Sequence, residues 1–125
     1  MNDDVLINGV KYYAASNFKI KEIDSVNTYL IGKYVVVRCR DAGVHAGILV
    51  EYKDRTVVLK ESKRLWYWKA AKNSFLSGVA KYGITEESKT GDEINLIILT
   101  ESCEIIECTE IAEKLIRSAP IVSQD

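Results

Sequence analysis

The sequence predicts an α+β fold, an antiparallel β-sheet of about five to seven strands with two helices, and three observations carry that expectation. Between Lys33 and Leu59, apolar and polar side chains alternate between short turn signals, as in a strand meander. Asn8-Gly9 separates two β-prone runs, which is a strong two-residue hairpin signal. Two stretches, beginning near Asn73 and Thr109, combine helical spacing with a capping residue in front.

In chain order, Val5-Leu6-Ile7 and Val10-Lys11-Tyr12-Tyr13 form the expected hairpin, with a type I′ turn at Asn8-Gly9. Residues 16–32 are polar and without period, a connector or N-terminal arm. The next strand sets Val35, Val37 and Cys39 against Tyr34, Val36, Arg38 and Arg40, as a half-buried strand should. After a tight turn at Asp41-Ala42-Gly43, a run from Val44 to Tyr52 puts His45, Gly47, Leu49 and Glu51 on one face. Lys53-Asp54 turns into Arg55-Thr56-Val57-Val58-Leu59, and a further strand follows at Arg64-Leu65-Trp66-Tyr67-Trp68.

Asn73 caps a short helix with the stripe Phe75, Leu76, Val79 and Ala80, closed by Gly83. Thr85 to Glu93 reads as a polar loop, and Ile94 to Leu99 and Glu104 to Cys108 as strands. Thr109 caps a second helix, in which Ile111 pairs with Leu115 and Ala112 with Ile116 before Pro120 ends it. The whole forms a single domain over residues 1–125: hairpin and arm over 1–32, core over 33–118, tail over 119–125.

The charge balance narrows the partners. With 17 Lys and Arg against 18 Asp and Glu, the net charge is −1, which argues against a protein that grips a nucleic-acid duplex. A small anion needs only two or three local cations. Met1-Asn2-Asp3-Asp4 is acidic and no apolar run could span a membrane, so the expected location is the cytoplasm. Cys39, Cys103 and Cys108 are odd in number and lack a C-x-x-C pair, which reads as free buried thiols of a reducing compartment.

Catalytic constellations are sparse. His45 is the sole histidine, so a Cys-His nucleophile or a histidine metal cluster has little to draw on. Its ordinary role is that of a satisfied structural histidine. Glu101, Glu104, Glu107 and Glu110 recur every third residue, which fits a solvated edge and a helix N-terminus better than paired acid-base carboxylates. No phosphate-binding glycine loop or nucleophile-elbow motif is present. The sequence thus predicts no catalytic residue, no metal and no cofactor.

The aromatic and cationic set says more. On a regular strand Arg64, Trp66 and Trp68 share one face, offering stacking surface beside a positive charge, which suits a nucleotide. The competing reading makes the tryptophans core or interface anchors covered by the Arg64 stem, and composition alone favours it. Gly43 and Gly47 around His45 mark either a turn with a bulge or a close backbone approach to a ligand.

Several strings resemble a small family of phage and prophage proteins: Arg64-Leu65-Trp66-Tyr67-Trp68-Lys69-Ala70-Ala71, Leu76-Ser77-Gly78-Val79-Ala80, and Ala42-Gly43-Val44-His45-Ala46-Gly47. Leu99-Thr100, Glu104-Ile105-Ile106, Cys108-Thr109 and the opening Ile7-Asn8-Gly9-Val10-Lys11-Tyr12 extend the likeness over most of the chain. The set also looks like the first type of Thoeris anti-defence protein. Those proteins sequester, uncleaved, the glycocyclic ADP-ribose signal of bacterial TIR-domain enzymes.

The resemblance implies pockets between subunits of a homodimer that can build a hexamer, with the C-terminal helix packed at a subunit interface. It also implies binding of cyclic oligonucleotides at a separate interface. Arg64 and Arg117 would neutralise a pyrophosphate, Trp66 or Trp68 would stack on adenine, and Asn73, Ser74, Gly43 and His45 would complete the site. Lys63 stands where the family form commonly has a second arginine, and Ala70 where it has glycine, which leaves the phosphate contacts open. The alternatives are a phage structural or protein-binding module anchored by the tryptophans, and a nucleotide-degrading enzyme whose base is His45 or a glutamate.

Overall fold

The computed structural model describes residues 5–6, 11–12 and 29–122, and the chain divides into two compact units, Met1–Ile31 and Gly32–Asp125. In the first unit β1 (Val5–Leu6) pairs antiparallel with β2 (Lys11–Tyr12), Val5 opposite Tyr12 and Leu6 opposite Lys11. That register is the one a turn centred on Asn8-Gly9 requires. The turn itself and most of the expected connector lie outside the described residues.

The second unit is α+β. Its strands are β3 (Tyr34–Cys39), β4 (Gly43–Lys53), β5 (Thr56–Tyr67), β6 (Lys89–Thr90), β7 (Ile94–Leu99) and β8 (Ser102–Glu107); its helices are α1 (Leu76–Tyr82) and α2 (Glu110–Arg117). All six strands join one antiparallel sheet in the order β6-β5-β4-β3-β8, and β7 pairs with the first half of β5.

Both helices cover one face. Leu76, Val79 and Ala80 of α1 and Ile116 of α2 form a cluster with Tyr34, Val36, Val44, Ala46 and Leu65. Thr109 caps α2 as expected, its hydroxyl accepting from Ala112 N–H at 3.2 Å while donating to Lys81 O at 2.8 Å, which also ties the two helices. Ahead of α1, Asn73 acts one step outside the helix. Its Oδ1 accepts from Phe75 N–H at 3.2 Å in a turn, and Phe75 stands 73% exposed instead of joining the apolar stripe. Gly78 is needed because a Cβ there would collide with the backbone of Lys72 and Asn73. The chain's own turn is what packs so closely on that helix.

β3 is buried on both faces, not half-buried, and the bend of the sheet explains why. Ser102 N–H donates to Arg55 O and Arg40 N–H to Glu101 O, so the segment between β7 and β8 meets the turns at both ends of β4. A straight β4 of 11 residues would hold those turns about 33 Å apart. The β4–β5 ladder therefore folds over at its two register shifts, between Ala46 and Ile48 and between Leu49 and Glu51. Inside the fold lie Val35, Val37, Cys39, Leu49, Val57, Leu59 and Leu99, each at most 5% exposed.

The same bend corrects the expected break between Leu59 and Arg64. Lys60-Glu61-Ser62-Lys63 continues β5 as one strand of 12 residues, with Glu61 at φ 52° absorbing the slip. Within the expected loop Thr85 to Glu93, Lys89–Thr90 adds the short β6.

Candidate functional site

Alternation along β5 sends the neighbours Lys63 and Arg64 to opposite faces. Lys63 goes to the helix side and is only 2% exposed. Its ammonium donates to the carbonyls of Ile116 at 3.3 Å, Arg117 at 3.2 Å and Ala119 at 3.4 Å, at the end of α2 and just beyond it, where a positive charge is favoured. Burial pushes the Lys63 pKa down, against Glu93 and with Arg117. Arg117 beside it is ringed by carboxylates, with Glu113 at 2.8 Å, Glu61 at 3.0 Å and Glu93 at 3.6 Å, and it stacks 4.7 Å from the centre of the Tyr34 ring.

Arg64 goes the other way. Its guanidinium lies over Gly43, where a Cβ would come within 3.0 Å of Nη2; at φ 84° that position also favours glycine. Across the ladder it faces His45. His45 is 6% exposed, with Nε2 donating to Ala42 O at 2.9 Å, so the neutral ring carries its proton there and leaves Nδ1 bare. Burial lowers the His45 pKa, the Ala42 bond opposes that shift, and the Arg64 charge adds to it.

Next to Arg64 a cleft of about 490 Å³ opens between the end of β5, the chain at 90–92 and the segment after α2. It is lined by Arg64, Trp66, Thr90, Gly91, Asp92 and Val122. Gly91 N–H donates to Arg64 O at 2.8 Å, Thr90 N–H to Pro120 O at 3.0 Å and Val122 N–H to Thr90 O at 2.9 Å, so three segments hold one wall. Trp66 is 58% exposed, and the Lys89 ammonium sits 5.5 Å from its ring centre. Among the described residues Arg64 enters no ion pair, nor does Arg40 just past the end of β3, whereas Arg38, Arg55 and Arg117 all do. The volume falls in the range of about 300–1,000 Å³ usual for small-molecule clefts.

Residues 32–116 match the family described as a domain of unknown function, DUF6948. The chain belongs to this family. None of the curated proteins compared with the chain matches it. The span shared with DUF6948 contains Gly43, His45, Arg64, Trp66 and Asp92, and it ends one residue before Arg117.

Of the eight residues the sequence nominated, the fold gathers Gly43, His45, Arg64 and Trp66. The other four are placed elsewhere. Trp68 does not share the face of Trp66, because the ladder slips between Leu65 and Tyr67 and β5 ends at Tyr67, turning Trp68 onto the helix-side cluster. Arg117 lies on the helix side among carboxylates and is not available to a pyrophosphate at Arg64. Asn73 and Ser74 belong to the exposed turn before α1 and do not line the cleft. Lys63, the suspected stand-in for a second phosphate arginine, is engaged by α2.

Lys89, Thr90 and Asp92 were missed. They sit in a segment that reads as a polar loop, with Gly91 within it as a further loop signal.

The thiols also need one correction. Cys39 is buried and Cys108 packs on the helix-side cluster, but Cys103 is exposed. No group of three or more potential metal ligands occurs among the described residues, and no helix there is long and apolar enough to cross a membrane.

Proposed function

We propose that this chain is a non-catalytic phage sponge that binds a cyclic ADP-ribose-type signal in the host bacterial cytoplasm and thereby blocks Thoeris immunity. The observation that carries the reading is Arg64, an arginine without an ion pair among the described residues, beside the exposed Trp66 in a cleft of about 490 Å³. Arg64 takes the pyrophosphate, Trp66 stacks on the purine, and Lys89 supplies the second cation in place of Arg117. The resemblance of the Arg64–Ala71 and Ala42–Gly47 strings narrows an anionic nucleotide to the glycocyclic ADP-ribose class. Cyclic oligonucleotides, its second implied ligand class, would occupy a separate interface.

Sequestration needs abundance and affinity, not turnover. Two features favour it over nucleotide degradation. Burial raises the Cys108 pKa to about 12 and also raises that of Cys39, so neither of these two thiols is a ready nucleophile, and the exposed Cys103 does not line the cleft. His45 is only 6% exposed, so a substrate has little access to its ring. A homo-oligomer with α2 at the interface is part of the proposal, and Ile111 and Leu115, exposed on that helix, support it. The outer face of β7, with Ile94, Leu96 and Ile98 exposed, offers a second apolar contact.

The test is to incubate the protein with glycocyclic ADP-ribose, release bound material by heating, and identify it by mass spectrometry. Intact ligand is expected, and a degraded one would sink the reading. In calorimetry, Arg64→Ala and Trp66→Ala should each weaken binding by about tenfold or more while the oligomer persists. Normal binding by both variants would place the site elsewhere, and absence of binding by the wild type would favour the protein-binding module.

A further inference from the structure

The cleft holds a carboxylate where an all-purpose phosphate site would not. Asp92 lines the same wall as Arg64, fixed there by the backbone bond from Gly91 N–H to Arg64 O at 2.8 Å, yet the two side chains form no ion pair. The neighbouring Glu93 is drawn away to Arg117 at 3.6 Å, so Asp92 is the one acidic group lining the cleft among the described residues. Asp92 is exposed and shares the lining with Arg64, the hydroxyl-bearing Thr90 and the indole of Trp66, and its charge also reaches Lys63. Thr90 Oγ1 already donates to Pro120 O at 3.1 Å, which leaves Asp92 as the strong acceptor on offer to a ligand.

We infer that Asp92 is the specificity residue of this cleft, accepting a hydrogen bond from a free hydroxyl of the adenine-bearing ribose and excluding a ligand that carries a phosphate on that ribose. The inference rests on the nucleotide-binding reading above and adds a rule to it. A ribose hydroxyl donates to a carboxylate, whereas a ribose phosphate presents only negative charge to it. Acidic and basic residues separate the two kinds of dinucleotide on this principle in other folds. Arg64 and Lys89 alone would favour the more highly phosphorylated ligand, and the Lys89 ammonium sits over the indole of Trp66. The prediction is therefore opposite in sign to what the cations by themselves would give.

Calorimetry with a matched pair of probes, cyclic ADP-ribose and cyclic ADP-ribose 2′-phosphate, tests it. Wild type should prefer the unphosphorylated probe by about 30-fold or more, the scale of a like-charge contact of a few kcal/mol. Asp92→Asn should weaken that probe and strengthen the phosphate, shrinking the preference to about threefold or reversing it. Arg64→Ala should weaken both. If wild type shows no preference between the probes, or if Asp92→Asn keeps the wild-type preference, Asp92 is not the selector, although nucleotide binding through Arg64 stands. If wild type binds neither probe nor glycocyclic ADP-ribose, the nucleotide reading itself falls, and this inference with it.

Discussion

On the helix side of β5, Lys63 and Arg117 are enclosed by acceptors, three main-chain carbonyls for one and three carboxylates for the other. On the opposite side Arg64, adjacent to Lys63 in sequence, lies against a glycine and beside an exposed indole with no ion pair among the described residues. The contrast separates cations that hold the fold from one that is open to a ligand. Charge type and sequence position do not distinguish them; the acceptors within reach do.

The largest effect that would break this contrast is at Lys63. Lys63→Ala removes the ammonium from the end of α2 and takes that donor from the Arg117 and Ala119 carbonyls, while Ile116 O keeps the Ala119 N–H, at a cost of about 2–3 kcal/mol. Lys63→Met, which keeps the apolar stem, should recover part of that. Denaturant unfolding measures both, and a Lys63→Ala variant within about 0.5 kcal/mol of wild type would show that the ammonium does not hold α2.

A smaller effect sharpens the comparison directly. Arg117→Ala breaks a partly exposed network and should cost about 1 kcal/mol, the bridges being screened by solvent. Arg64→Ala should change stability by less than about 0.5 kcal/mol, because no partner in the described fold depends on it. Thermal melts of the two variants ought to rank in that order. Equal losses would mean that Arg64 is as structural as Arg117, and the functional reading of the cleft would lose its support.

How much of this was legible in the sequence depends on the kind of interaction. Alternation gave β3, β4 and the two helices, and the Thr109 cap stands where it was expected, because these are local and repeat with the backbone's own period. Arg64 and Trp66 were found together because they lie two apart on one strand. Trp68 was lost to a ladder slip that has no sequence signature, since a bulge is decided by what pairs opposite. Lys60-Glu61-Ser62-Lys63 lies between two expected strands, yet it is strand itself, because the end of α2 makes a buried lysine favourable from 53 residues away. Asp92 entered the cleft for a similar reason: the contact with β5 that sets it there is long-range.

The smallest predicted effect lies at His45, across the ladder from Arg64. Its pKa is lowered in the fold, chiefly by burial and secondarily by Arg64, with the Ala42 bond working against the shift. An unfolded histidine titrates near about 6.5. The neutral ring's contribution is thus complete above that pH and declines as pH falls toward the lowered folded value, because the unfolded chain then binds more protons. Binding should respond in the opposite direction, since a proton on His45 adds positive charge beside Arg64 and a bound phosphate favours that proton. Melting temperature should therefore drop between pH 7 and pH 5 while affinity for glycocyclic ADP-ribose rises, and His45→Gln should flatten both trends. If His45→Gln flattens the melting curve alone, His45 belongs with Lys63 as a part of the scaffold; if it flattens both, the open side of β5 extends from Arg64 across the ladder to His45.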